Sequence, residues 1–123
     1  MIGYVTLGSN DKEKATAFYD ELLALLGAKQ FFDAGHLMFW GTEPGRPMLA
    51  VGIPFDKQAA SAGNGTMVSL TMKDKEAVDA FYQKALELGG TDEGEPGMRT
   101  DNFYGAYFRD LDGNKLCAFC MVK

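Results

Sequence analysis

Residues 11–27, "DKEKATAFYDELLALLG", and residues 74–90, "DKEAVDAFYQKALELGG", are close to one sequence written twice. A single offset lays Val5 on Val68, Leu7 on Leu70, Asp11 on Asp74, Lys12 on Lys75 and Glu13 on Glu76. It continues through Ala17/Ala80, Phe18/Phe81, Tyr19/Tyr82, Leu23/Leu86, Leu25/Leu88 and Gly27/Gly90. So many identities mark one structural unit used twice. In each copy an alternating apolar run, "YVTL" or "MVSL", predicts a strand. An aspartate in N-cap position then opens a helix, and a glycine follows its last apolar residue. On the first helix Phe18, Leu22, Leu25 and Leu26 form one apolar stripe; Phe81, Ala85 and Leu88 do so on the second.

After each helix the chain breaks into short strand candidates separated by Gly, Pro, Asn and Asp. They fall at 30–33, 37–41 and 48–53 in the first half, and at 97–99, 104–109 and 115–122 in the second. "DLDGNK" is a hairpin turn signal around Asp112-Gly113. It is not a calcium loop of the EF-hand kind, whose glycine and glutamate spacing it lacks. The second halves also align, with Gly45 on Gly113 and Ala50 on Ala118. Each half therefore predicts strand, helix, strand, strand, strand, an α+β fold of two βαβββ modules at 1–53 and 67–123. The small, polar residues 54–66, "PFDKQAASAGNGT", form the linker. A half of about 55 residues buries too little by itself, so the two sheets are expected to pair into a cupped, barrel-like site.

Composition narrows the function classes. The chain has 123 residues, 46% of them hydrophobic, and a net charge of −5. That is enough apolar content for one domain, while bases scattered among acids argue against nucleic acid as a partner. No apolar run approaches the roughly 18 residues of a membrane span, and no basic leader precedes the first strand, so a cytoplasmic protein without a membrane partner is expected. Cys117 and Cys120 stand in "CAFC", a spacing found in zinc and redox sites. On a strand, side chains three apart point to opposite faces, and a zinc site needs further ligands that one histidine does not supply. Two buried, reduced thiols are the expectation.

"MIGYVTLGSNDKEKATAFYDELLALLG" resembles the opening of the glyoxalase, bleomycin-resistance and dioxygenase superfamily, the vicinal oxygen chelate (VOC) proteins. "EPGMR" followed by "FYGAYFRDLDGNKL" is similar to that family's closing segment, so the resemblance spans the whole chain. It implies paired βαβββ modules as a single VOC domain, often in a dimer, and in the enzymes a divalent metal held by His and Glu from the first and last strands of each module. The repeat maps those positions here onto Tyr4, Leu49, Met67 and Cys117. A hard cation wants oxygen ligands, and zinc or nickel wants imidazole or thiolate, so this set is poor. Neighbouring residues, Gly3, Val5, Thr66, Val68, Leu116 and Ala118, are no better. The family metal is expected to be lost, and no cofactor is expected.

Candidate ligand contacts are His36, Trp40, Arg99, Tyr104 and Tyr107. His36, the one histidine, is a candidate general base. The aromatics Phe39, Trp40, Phe103, Tyr104 and Tyr107, with Arg99 upstream, suit a planar or acidic small molecule: rings stack, hydroxyls orient and a guanidinium forks onto a carboxylate. Alternation puts Tyr104, Ala106 and Phe108 on one face and Gly105, Tyr107 and Arg109 on the other. The expected function is binding of a small organic molecule in the cup without a metal, as in sequestration or sensing. The resemblance also implies an alternative, a metal-dependent glyoxalase-like lyase or dioxygenase. A third reading gives Cys117 a nucleophilic or redox role. Pairing of modules within one chain and between the chains of a homodimer are both open.

Overall fold

The computed structural model describes residues 1–123. The chain divides into two compact units, Met1–Ala62 and Gly63–Lys123, the boundary falling inside the 54–66 segment. In the first unit β1 (Tyr4–Gly8), α1 (Lys12–Ala24), β2 (Lys29–Asp33), β3 (Leu37–Gly41) and β4 (Met48–Gly52) follow in order. The second repeats the pattern with β5 (Val68–Thr71), α2 (Lys75–Glu87), β6 (Thr91–Thr100), β7 (Phe103–Arg109) and β8 (Lys115–Met121). The expected α+β fold of tandem βαβββ modules is thus what forms. Each sheet is four-stranded and mixed, in order β1-β4-β3-β2 and β5-β8-β7-β6. The first strand runs parallel to the last and the others are antiparallel. Neither sheet closes on itself as a barrel.

Both helices start where the aspartates predict. Asp11 accepts the Lys14 N–H at 3.1 Å and Asp74 accepts the Ala77 N–H at 2.8 Å, each satisfying an otherwise orphaned donor. The first helix stops at Ala24, earlier than the apolar pattern suggests. Leu25 is therefore half-exposed, and the buried stripe is Ala15, Phe18, Tyr19, Leu22 and Leu23. In the second unit Val78, Phe81, Tyr82 and Ala85 face the sheet, while Leu88 sits at the C-cap. The cores are Trp40, Tyr19, Leu22, Leu49 and Val51 in one unit and Phe81, Phe108, Leu116 and Ala118 in the other.

Two sequence expectations are corrected. The strand expected at 97–99 is the ten-residue β6, beginning at Thr91. Its Gly and Pro residues read as turn signals, yet β6 is an edge strand whose pairing with β7 shifts register three times, where such residues are tolerated. The second concerns the last strands. Gly45 and Gly113 are equivalent turn residues with φ of 87° and 86°. The turn after Gly45 holds Arg46 and Pro47 before β4, whereas only Asn114 separates Gly113 from β8. The ladders are consequently displaced by one residue from the Ala50/Ala118 alignment. Cys117 pairs with Ser69 and Tyr107, and Ala50 with Thr6 and Phe39, so Ala50 is the counterpart of Cys117, and Leu49 that of Leu116.

Candidate functional site

Each sheet has one face covered by its helix and one that the helix leaves uncovered; alternation then sorts the candidate residues. In the first unit Leu7, Leu49, Val51 and Trp40 lie under α1. Trp40 is 1% exposed, packs against Tyr19 at 5.7 Å between centroids and donates Nε1–H to Asp20 at 2.9 Å. It is a core residue and not a ligand contact. Leu49 points the same way, so the one-residue shift removes it from the face that carries Tyr4. That uncovered face bears Tyr4, Thr6, Ala50, Phe39 and Phe32. Phe39 stacks on Phe32 at 4.4 Å and meets the edge of Tyr4 at 5.0 Å.

At the end of this face a cleft of about 520 Å³ opens between the strands and residues 53–61. Thr6, Gly8, Leu37 and Gly52 line its floor, and His36, Phe55 and Asp56 its rim. Glycine is required on the floor: a Cβ at Gly52 would overlap the His36 carbonyl, and one at Gly8 would come within 3.0 Å of the Ala60 side chain. The segment expected as a linker is tied down here, since Asn10 donates to the Ala60 carbonyl at 3.2 Å and accepts its N–H at 2.7 Å. His36 is exposed and sits 6.4 Å, edge to face, from Phe55.

In the second unit Tyr104 is on the helix side. Its hydroxyl donates to Asp79 of α2 at 2.7 Å, and Lys75 lies 5.4 Å above its ring. That bond to a carboxylate, with burial, pushes the phenol up to about 12. Tyr104 therefore serves helix docking rather than the site. The uncovered face brings together Ser69, Tyr107, Arg99, Lys115 and Cys117. The Cys117 side chain hydrogen-bonds with Ser69 and Tyr107. Burial pushes the Cys117 thiol above its ordinary range, although those two bonds and the charges of Arg99 and Lys115 act against the shift. Tyr107 is raised as well, chiefly by burial and then by Cys117, with Arg99 opposing. Arg99 lies across β6 with its guanidinium 5.3 Å from the Tyr107 ring centre, and Gly94 and Gly97 make room for it. A Cβ at either glycine would lie within 3.2 Å of that guanidinium.

Of the five expected contacts, Arg99 and Tyr107 come together, His36 lies on the rim of the first unit's cleft, and Trp40 and Tyr104 pack under helices. Ser69, Lys115 and the cleft residues Phe55 and Asp56 were not among the expected contacts. Ser69 was foreshadowed by its two-residue spacing from Met67, but nothing in the sequence signalled the cleft, which depends on the Asn10–Ala60 tether.

The positions that the resemblance gives to metal ligands change by one residue on the last strand of the first unit. With the register corrected, the four positions hold Tyr4, Ala50, Met67 and Cys117, and no three His, Cys, Asp or Glu side chains cluster anywhere in the chain.

Comparison with known proteins agrees with this architecture. The model of the Glyoxalase/Bleomycin resistance protein/Dioxygenase superfamily matches residues 1–118. The chain belongs to that superfamily. A glyoxalase/bleomycin resistance protein from Albidiferax ferrireducens is 36% identical with a TM-score of 0.89, covering 98% of both chains. A hypothetical protein from S. aureus is 26% identical at a TM-score of 0.74, covering 98% of this chain and 92% of its own. A lactoylglutathione lyase from Agrobacterium tumefaciens shares the fold at 22% identity and a TM-score of 0.69, with 98% and 92% covered. No curated protein gave a significant match.

Proposed function

We propose that this protein binds a small organic molecule without a metal, on a VOC scaffold whose metal positions have been given to other side chains. The observation that carries the reading is the residue set at those positions: a phenol, a methyl group, a thioether and a buried thiol whose pKa is raised. Zinc or nickel would have to displace the Cys117 proton against that burial, and magnesium would find one phenol oxygen. Arg99 and Tyr107 supply instead a cation and a ring for an organic ligand, with the Ser69 hydroxyl on the same face.

The test is a thermal-shift screen of small aromatic acids, alcohols and amides on EDTA-treated protein. The expected result is a compound that raises Tm in the presence of EDTA; a ligand at 100 Kd stabilises by ~2.7 kcal/mol. Binding or turnover that appears only after a divalent ion is restored would overturn the reading and favour the lyase or dioxygenase chemistry of the family.

A further inference from the structure

The uncovered face of the second unit is locally positive in a chain of net charge −5. Arg99, Arg109 and Lys115 lie on it. Arg109 is committed: its Nε donates to Glu93 at 2.6 Å and its Nη1 to the Gly113 carbonyl at 3.0 Å. Glu93 is thereby used, and its carboxyl is held below the ordinary range by Arg109. Arg99 and Lys115 form no salt bridge, although Lys115 is near enough to Glu93 to lower its carboxyl further. The acceptor bonded to Arg99 is the Glu95 carbonyl, at 2.5 Å from Nη2, which leaves the rest of the guanidinium edge available.

These two cations converge on one ring. The Arg99 Cζ is 5.3 Å and the Lys115 Nζ 5.5 Å from the centre of Tyr107. Each cation gains from the ring quadrupole, and half-buried Lys115 is partly desolvated. An anion bound at the ring would meet both charges and offset the desolvation of Lys115. Beside Tyr107 the strand carries Gly105, over which the Phe103 ring leans to stack on Phe119 at 5.0 Å with an interplanar angle of 8°. A flat apolar platform thus adjoins the charged pair.

We propose that Arg99 and Lys115, seated on Tyr107, clamp the oxyanion of a small organic acid whose apolar part lies toward the Phe103–Phe119 stack. The proposal rests on the metal-free reading above and specifies its ligand class. Carboxylate and phosphate share the required chemistry, since a guanidinium edge and an ammonium match either.

The test is an NMR titration of isotopically labelled protein with benzoate, phenyl phosphate and benzamide in EDTA. Benzoate, phenyl phosphate or both are expected to shift the Arg99 Nε–Hε signal and the Gly94 and Gly97 amides, saturating at about millimolar concentration, whereas benzamide leaves them in place. A response to benzoate alone assigns a carboxylate, and one to phenyl phosphate alone a phosphate ester. Arg99→Met and Lys115→Met should each weaken anion binding ~10-fold, with Arg99→Lys retaining more affinity than Arg99→Met, in variants whose amide spectra stay dispersed. No shift in this cluster with either anion overturns the proposal. So does benzamide binding as tightly as benzoate, a result that would leave small-molecule binding intact. A response that requires an added divalent ion would instead overturn the metal-free reading itself.

Discussion

Cys117 is a buried thiol whose surroundings disfavour the thiolate. It is fully buried, and burial outweighs the hydrogen bonds and cationic charges that favour the thiolate. We predict no rapid reaction of Cys117 with a thiol reagent in native protein at neutral pH, followed by reaction of both cysteines once guanidinium unfolds the chain. Fast native labelling of Cys117 would revive the nucleophile reading. Trp40 gives a second prediction. Replacing it by Phe removes a hydrogen bond to Asp20 and part of a buried ring, so urea denaturation should show a loss of about 2 kcal/mol with little change in ligand binding. The sequence showed that Tyr104 and Tyr107 lie on opposite faces. It left open which face meets the helix, because alternation carries no sign. Contacts from the helix settle it: Phe81 on Phe108 and Asp79 on Tyr104.

The helices dock through polar clamps as well as apolar stripes. Tyr82 donates to Asp92 at 2.9 Å, and burial followed by that carboxylate pushes its phenol up to about 12; Tyr104 with Asp79 behaves alike. Both phenols are stabilised in the neutral form by folding. Their contribution is complete below the unfolded value near 10 and is lost as pH rises toward 12, because the unfolded chain releases those protons first. Stability measured by urea unfolding should therefore be flat with respect to these groups up to pH 10 and fall above it, and Tyr82→Phe with Tyr104→Phe should flatten the alkaline limb. An unchanged slope in the double variant would contradict the clamps. Helix starts were legible at this scale because an Asp N-cap is a local signal. β6 was only partly legible, since an edge strand admits the Gly and Pro that elsewhere mark turns. The one-residue slip at β4 was hidden because a turn insertion between Gly45 and Met48 leaves no trace in an alignment anchored on glycine.

For the whole molecule, the duplication was visible from the helix segments alone, and the two βαβββ units and the superfamily match over residues 1–118 follow it. The Arg99–Tyr107 pair of the candidate site was legible from residue types. Lys115 joins it only through the pairing of β7 with β8, and the cleft at His36 only through the tether of residues 53–61. No helix is long and apolar enough to cross a membrane. The central claim is that this scaffold works without the metal its family uses. Elemental mass spectrometry of untagged protein, purified without chelator and then offered zinc, nickel, manganese and iron, tests it most directly. The account predicts metal well below one equivalent per chain and no rise in Tm with any of the four. One equivalent retained through dialysis, with a rise in Tm on reconstitution that is lost in Cys117→Ser, would contradict it and return Cys117 to the role of a ligand.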